Sequence, residues 1–468
     1  MPETAVVTAD VETEPPVAIS GRTLVDDARP IWLRWLDRLG VATIALNATS
    51  LIGTSLIGSI VGALYWWLAA RFFAPADVGV ASAAIATTVL LSAMSLFGTG
   101  TLLIAELPRR QPVERMRLVV TASLVCGLTA GGLGMLFALV APLVSANLAA
   151  FGASPLTVLV FALGVSVTAV GGVVDHALIG VLRGHYQLWR NTLIAFGKLG
   201  ALGLVIVLTD RGPLTLYATW VVSALISFVA VVPMRGPGRI SLAALRPEWQ
   251  VLRRLGRSAL EHHALNLSLQ APSLVTPLLV TVLLSPTSNA YFYLASMFAS
   301  FVFVLPTALS TALFADGAHA PDALARKMRM TLAAGCGLGL LGVSFLFVAA
   351  GPLLSVFSRS YADEVGWVFR GLILGVFAAL IKAHFVALAQ VRGRVRRAAV
   401  LMWVFAAAEV GAAALGGSLD GLHGVTVAVV LVGYVEAAIM APTVLRGAFP
   451  HGFKPRSRRL LRSLRLSQ

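Results

Sequence analysis

Ionisable side chains interrupt the long apolar stretches of this 468-residue chain, and five of them have types and spacings that suit them to bind ions or one another. They are Asp175, Lys198, Lys382, Glu409 and Glu436. A charge removed from water must meet an opposite charge or a wet cavity, or else lose its charge through proton exchange. Such residues therefore form structural ion pairs or bind a transported ion or proton.

The first two of these residues flank a short basic segment. Asp175 lies eight residues before Arg183, and Lys198 lies eight residues after Arg190. If Arg183 to Arg190 forms a turn, the helical rise places both charges about 12 Å from it. This spacing predicts a salt bridge within a helical hairpin. One alternative is that the two residues form an ion or proton coupling site. Another is that they have separate roles, with Lys198 extending to the membrane surface.

A second such pair is predicted near the C-terminus. Lys382 and Glu409 lie on either side of a basic turn, residues 392–397, at similar but unequal distances from it. Glu436 has no opposite charge in its own hairpin. An acid without a partner is the better candidate for facing a cavity or exchanging a proton.

A polar stripe marks the start of the seventh apolar run, where His262, Asn266 and Gln270 recur every four residues. Residues four apart share one face of a helix, so the stripe predicts a cavity wall or a row of interhelical hydrogen bonds. Asn47 marks a weaker counterpart in the first run. The Glu-His-His sequence lacks the His spacing of a helical zinc site, and we expect no metal.

Signatures of catalysis and cofactor binding are missing from the sequence. It contains no Walker A motif and no GxSxG motif, and Cys126 and Cys336 each stand alone in apolar runs. The formal net charge of +15 comes from basic residues clustered in short loops, a pattern of membrane topology rather than of nucleic-acid binding. We therefore expect a protein that is not an enzyme, has no cofactor and binds no nucleic acid.

Composition indicates which elements hold these residues. The chain is 58% hydrophobic and 12% charged, with a mean hydropathy of +0.86, and a bilayer core takes about 20 helical residues to cross. Twelve apolar runs reach roughly this length, near residues 46–70, 79–106, 118–144, 156–182, 192–209, 215–234, 259–284, 291–315, 331–353, 367–391, 398–417 and 425–445. The sequence thus predicts an all-α polytopic membrane protein.

Basic residues determine the expected orientation. Of the 36 Lys and Arg residues, 30 fall in the tails and in alternate loops, whereas the opposite loops hold only Arg71, Arg211 and Arg359. The other three lie within spans. Because Lys and Arg are retained on the cytoplasmic side, both termini are expected in the cytoplasm and the protein in the cell membrane.

The spans divide into two halves with similar openings. Pro75 precedes Glu106 by 31 residues and Pro286 precedes Asp316 by 30, each acid closing the second helix of its half. We predict six-helix bundles at 46–234 and 259–445, joined by a basic linker at 235–258. The predicted tails are 1–45, with an interfacial helix near 30–40, and 446–468. Pro272, Pro277 and Pro306 remove backbone donors within spans seven and eight and are candidate hinges.

The sequence also resembles a known superfamily. The segment "LYWWLAARFFAPADVGVASAAIATTVLLSAMSLFGTGTLLIAELPRR" resembles the opening hairpin of Wzx-type polysaccharide flippases of the MOP superfamily, which also contains lipid II flippases and MATE exporters. The segments "DHALIGVLRGHYQLWRN" and "SPTSNAYFYLASMFASFVFVLPTALSTALFA" resemble actinobacterial membrane proteins of polysaccharide biosynthesis. The resemblance extends over most of spans one to eleven.

The resemblance implies a fold, a substrate and a mechanism. It implies two six-helix bundles around a central cavity that opens alternately to each side, with spans one, two, seven and eight forming a lateral portal. The substrate would be an undecaprenyl-pyrophosphate-linked oligosaccharide, moved from the inner to the outer leaflet, and glycan-assembly enzymes would be potential partners. Arg370, which has no predicted partner, and Arg71 would meet the pyrophosphate.

Two other functions are compatible with the same residues. A MATE-like cation or drug antiporter, coupled to protons or sodium, would use a buried acid such as Glu436. A membrane scaffold for glycan assembly would transport nothing.

Overall fold

The computed structural model describes residues 58, 60–208, 211–235, 246–249, 257–319, 324–355 and 359–450. Within these ranges the regular elements are helices, and no strand is present. Asn47, the predicted interfacial helix, most of the basic linker and most of the C-terminal tail lie outside the described residues.

The N-terminal half contains seven α-helices in the described residues. They are α1 (Ile60–Phe72), α2 (Pro75–Met94), α3 (Thr99–Glu106), α4 (Pro112–Val144), α5 (Pro155–Gly180), α6 (Gly184–Leu208) and α7 (Pro213–Ser227). Proline opens several of them, because its fixed φ suits the first turn, where its missing N–H would have no partner in the helix. Helices α2 and α3 together form one predicted span, broken at Phe97 and Gly98, which both have positive φ.

The C-terminal half has six helices in the described residues. They are α8 (Arg257–Leu283), α9 (Pro286–His319), α10 (Leu324–Ser355), α11 (Arg359–Leu374), α12 (Val376–Val391) and α13 (Val395–Ala448). α13 is interrupted by non-helical backbone at Asp420 and Gly421. The chain folds back at this point, since Gly416 lies so close to Gly424 that a Cβ atom on Gly416 would collide with the Gly424 carbonyl group. We call residues 395–419 the first arm of α13 and residues 422–448 its second arm.

The helices account for the predicted spans. Ten helical segments are long and apolar enough to cross a membrane, one of them being the two-armed α13. The short apolar α1 precedes them. Counting the two arms of α13 separately gives eleven segments of crossing length among the described residues, and the predicted all-α polytopic fold is confirmed. The structure leaves the predicted orientation of the termini and the boundaries of the two bundles as predictions.

The two halves meet through α2, which packs against both α8 and α9. At one end, Gly79 lies so close to the backbone of Pro286 that any Cβ atom would overlap it. Asn289 is fully buried there and donates from Nδ2 to the Gly79 carbonyl at 2.8 Å and to Ser82 Oγ at 3.1 Å. At the other end, Gly98 approaches the Ala259 carbonyl. Both contacts require glycine, at positions 79 and 98, because glycine carries a hydrogen atom where every other residue carries a Cβ atom.

Candidate functional site

The predicted pairing of Asp175 with Lys198 differs from the structure, in which Asp175 pairs with Arg190. Arg190 Nε donates to Asp175 Oδ1 at 2.9 Å, and its Nη2 contacts Oδ2. A third bond joins Arg190 Nη1 to Ser227 Oγ at 3.3 Å. Arg190 is 4% exposed and therefore belongs inside the bundle, although the sequence placed it in a cytoplasmic loop.

The position of the turn explains this difference. The chain reverses at Leu182, which has a φ of 56°, and α6 already begins at Gly184. The α6 residue that matches the depth of Asp175 is therefore Arg190. Lys198 lies eight residues further along α6, about 12 Å deeper. The turn therefore lies at residues 182–184, and depth along both helices is counted from there.

Lys198 is consequently left without a carboxylate partner among the described residues. Its side chain is 7% exposed, yet no hydrogen bond or ion pair joins it to a described residue. Its ammonium group lies 4.7 Å from the ring centroid of Trp220 on α7 and 5.5 Å from that of Tyr65 on α1. Electron-rich ring faces stabilise a cation that has lost its water. We call Lys198, Tyr65 and Trp220 the lysine box.

The walls of the lysine box are held by hydrogen bonds and one small residue. The Tyr65 hydroxyl donates to the Leu216 carbonyl at 3.1 Å and lies 2.9 Å from Thr219 Oγ1, which fixes its ring. On the same helix, Gly62 faces the ammonium group, because a Cβ atom there would lie 4.0 Å from Lys198 Nζ. Sequence reasoning missed Tyr65 and Trp220, since nothing local distinguishes them from other aromatic residues in apolar runs.

The second group of charges brings together three helical segments. Lys382 on α12 contacts Glu409 on the first arm of α13, and it donates to Glu436 Oε2 on the second arm at 2.7 Å. The side chain of Glu436 is 2% exposed, and its Oε1 has no hydrogen-bond partner among the residues that the structure describes. We call these residues the acid triad. Glu436, expected to lack a partner within its hairpin, thus shares the ammonium group that was predicted for Glu409.

The polar stripe of α8 is only partly buried. Asn266 and Gln270 are exposed, and the recorded bond of Gln270 is to the carbonyl of Asn266 on its own helix. His262 is half-buried. On α9, Ser300, Thr307 and Thr311 are also exposed and donate to carbonyls of their own helix. Polar side chains at this depth favour water over lipid, so these faces suit a cavity.

The remaining predicted residues are distributed around the bundle. Arg370 is not free: its Nε donates to the Phe347 carbonyl on α10 at 3.2 Å, and its guanidinium lies over the Phe347 ring. Arg71 is exposed at the end of α1. The three candidate hinge prolines, Pro272, Pro277 and Pro306, are buried within α8 and α9, which are helical on both sides of them. Among the described residues, no group of His, Cys, Asp and Glu is arranged to hold a metal ion.

A pocket of about 140 Å³ lies in the N-terminal half, and neither Lys198 nor Arg190 is among its lining residues. Its lining is mainly apolar and includes Phe151, Phe161 and Tyr217.

Comparison with solved structures identifies the fold. The chain is similar to an inward-facing multidrug resistance MATE family transporter of the MOP superfamily, with a TM-score of 0.68 and 14% identity over 85% of this chain and 98% of that one. It is similar to the lipid II flippase MurJ in an inward closed conformation, with a TM-score of 0.67 and 12% identity over 86% and 90%. A MOP superfamily transporter from Pyrococcus furiosus gives a TM-score of 0.60 and 14% identity over 87% and 96%.

No family model and no curated protein sequence matches the chain. The structural similarity alone shows that this multi-pass membrane protein has the fold of MOP superfamily transporters.

Proposed function

We propose that this protein moves an anionic lipid-linked oligosaccharide, carried on undecaprenyl pyrophosphate, from the inner to the outer leaflet of the cell membrane by alternating access. The lysine box is the observation that carries this proposal. A glycan and a pyrophosphate cannot cross hydrocarbon unaided, whereas the lipid tail can remain in the bilayer while the headgroup passes through a wet groove.

Lys198 supports an anionic substrate because its charge is not balanced by an acid in the described part of the chain. Fourteen residues separate it from the start of α6, which places it about 21 Å along a helix that crosses a core about 30 Å thick. An ammonium at that depth attracts any anion that enters, since the low dielectric strengthens the interaction. A pyrophosphate supplies several charged oxygens for the three donors of a lysine.

The exposed polar faces of α8 and α9 are the proposed path for the headgroup. Asn266 and Gln270 offer amide donors and acceptors suited to sugar hydroxyls. The resemblance implies a lateral portal between α1, α2, α8 and α9, through which the tail would stay in the bilayer. The close contact of Gly79 with Pro286 would close this portal at its predicted outer end.

The test uses vesicles reconstituted with the full-length protein and a fluorescent polyprenyl-pyrophosphate-linked sugar. We expect headgroups to become protected from a membrane-impermeant quencher or hydrolase. Lys198→Met should reduce the initial rate at least tenfold, because it removes the unbalanced charge. Lys198→Arg keeps that charge and should retain more of the rate.

The matched control is Lys327→Met, which removes a lysine from the first turn of α10, far from the lysine box, and should flip at the normal rate. An absence of protected headgroups in the wild type would overturn the proposal. A normal rate for Lys198→Met would overturn the role of the lysine box.

The alternative is a MATE-like cation-coupled antiporter for small molecules. The acid triad favours it, because two carboxylates share one ammonium group there. In the same vesicles an antiporter would build a drug gradient in response to a proton or sodium gradient and would leave the lipid-linked sugar where it was.

A further inference from the structure

The two halves meet backbone to backbone at the start of α2. A Cβ atom on Gly79 would lie 1.7 Å from the Pro286 carbonyl oxygen, so α2 and α9 leave no room for a side chain between these residues. A second contact between the halves joins the Trp66 ring of α1 to the Tyr293 ring of α9, with 4.8 Å between their centroids. We call the contact between the starts of α2 and α9 the outer seam, because it lies at the predicted outer end.

One polar side chain crosses the outer seam. Asn289 lies in the first turn of α9 and is 0% exposed, and its Nδ2 donates to the Gly79 carbonyl at 2.8 Å and to Ser82 Oγ at 3.1 Å. Ser82 Oγ in turn donates to the Gly79 carbonyl at 3.0 Å. An amide nitrogen carries two hydrogens, so Asn289 uses both of its side-chain donors on the other half of the molecule. We call Gly79, Ser82 and Asn289 the amide latch.

The oxygen of the same amide is unmatched. Asn289 Oδ1 is buried and accepts no hydrogen bond from any residue that the structure describes. Burying an acceptor without a donor costs about as much as a hydrogen bond that replaces one to water contributes. Opening of the seam would let water reach both ends of the amide. The amide latch therefore gives the closed seam a small preference, whereas a large one would trap the protein with the seam closed.

The amide latch lies between two helices that can move as rigid bodies. At the start of α9, Ser285 Oγ accepts from the Ser288 backbone nitrogen at 3.0 Å, and the Ser285 carbonyl accepts from the Asn289 backbone nitrogen at 3.1 Å. These bonds do not involve α2. A rigid-body motion of one half against the other would thus break the two Nδ2 bonds of Asn289 and leave the first turn of α9 intact.

We propose that Asn289 is a gating residue, whose two donated hydrogen bonds hold the outer seam closed and whose unmatched oxygen keeps this hold weak enough to release. The proposal rests on the alternating access of the proposed function and not on the identity of the substrate. The other end of α2 has its own backbone contact, Gly98 against the Ala259 carbonyl. The outer seam can therefore open while that contact still closes the inner side, as alternating access requires.

Two substitutions of similar volume should move the outer seam in opposite directions. Asn289→Asp replaces the donors with an ionised carboxylate against the Gly79 carbonyl, a cost that water relieves when the seam opens. A negative charge suits the first turn of a helix, so α9 should still form. Asn289→Leu removes the donors together with the unmatched oxygen and exposes an apolar side chain only in the open state, which favours the closed seam.

The test measures distances by double electron–electron resonance in full-length protein in lipid nanodiscs, without substrate. One spin-label pair, at the exposed residues Ala149 and Ser418, joins the predicted outer ends of the two halves, and a second pair, at Glu114 and Arg396, joins their inner ends. Asn289→Asp should raise the fraction of molecules with a longer outer distance by roughly threefold or more and leave the inner pair no longer than before. Asn289→Leu should lower that fraction by roughly half or more.

Asn191 provides the matched control, because its Nδ2 donates to the Gln187 carbonyl of its own helix. Asn191→Asp and Asn191→Leu should leave both distances unchanged. Ser82→Ala removes one of the two acceptors and should shift the outer pair as Asn289→Asp does, by a smaller amount. This variant decides the matter if Asn289→Asp does not fold.

Three results would overturn the proposal. They are an unchanged outer distance in Asn289→Asp, a shift of the same sign in Asn289→Leu, and a lengthening of the outer and inner pairs together, which indicates general loosening. If the wild type shows no longer component, Asn289→Asp alone decides. Because no substrate is present, failure of the flipping assay would reject the lipid-linked substrate and leave this result standing.

Discussion

The two halves of the molecule treat their buried charges in opposite ways. In the N-terminal half, Asp175 and Arg190 neutralise each other, and Lys198 lies deeper among aromatic rings, without an acid beside it in the described part of the chain. In the C-terminal half, Lys382, Glu409 and Glu436 meet in one cluster, which has an acid to spare. A separate base suits binding of an external anion, whereas a clustered surplus acid suits exchange of a proton within the cluster.

The largest expected effect concerns the N-terminal ion pair. Asp175→Ala leaves the Arg190 guanidinium buried with Ser227 as its remaining recorded side-chain hydrogen-bond partner, and should lower the free energy of unfolding by about 3–5 kcal/mol. Unfolding by SDS in mixed micelles measures this. The control, Glu114→Ala, removes an exposed acid from the first turn of α4 and should cost well under about 1 kcal/mol.

Two double variants sharpen this prediction. Asp175→Asn with Arg190→Met removes both charges and should be far less destabilising than Asp175→Ala. Asp175→Ala with Lys198→Met should show no recovery, because Lys198 is not the partner. If the second variant instead regains stability, the partner of Asp175 is Lys198, as the sequence suggests.

A somewhat smaller effect is expected from removing the base of the acid triad. Lys382→Met leaves Glu409 and Glu436 facing each other without a cation, and should cost about 3 kcal/mol in the same assay. Glu436→Gln leaves a balanced Lys382–Glu409 pair and should be much closer to the wild type. The matched control is Arg396→Met, at an exposed site on α13. Equal losses of stability in Lys382→Met, Glu436→Gln and Arg396→Met would contradict the prediction that Lys382 alone balances the two acids.

The smallest expected effect tests the lysine box. Trp220→Leu removes the nearer aromatic face and should destabilise the protein by about 1–2 kcal/mol, through lost cation–π attraction and lost packing. If the attraction is real, Trp220→Leu should cost less in a Lys198→Met background than in the wild type. Trp189→Leu, at an exposed tryptophan, is the control. If the losses of stability caused by the Trp220 and Lys198 substitutions are additive, the Trp220 ring contributes packing and no cation–π attraction to Lys198.

Much of the architecture was predictable because it depends on local patterns. Apolar run length predicted the crossing helices, since each run must cover the thickness of the bilayer core. Prolines such as Pro75 and Pro286 marked helix starts, because a missing N–H costs nothing in the first turn. The predicted contact of Lys382 with Glu409 depended on depth from a nearby turn, which the sequence locates well at residues 392–397.

Partners at a distance were not predictable in the same way. Arg190 falls outside the predicted span, which begins at residue 192, whereas the helix begins at Gly184. A shift of a few residues changes which side chain shares the depth of Asp175. Tyr65 and Trp220 reach Lys198 from two other helices, and no local pattern encodes how those helices are rotated.

The sequence by itself determined that these charges lie within the membrane, since hydropathy is a property of each stretch. Only the tertiary structure decided which charge is balanced and, among the described residues, which base meets no acid and which acid oxygen accepts no hydrogen bond. The physical reason is that low dielectric makes each charge depend on partners within a few ångströms. Those partners are supplied by helices far apart in the chain, such as α12 and the second arm of α13.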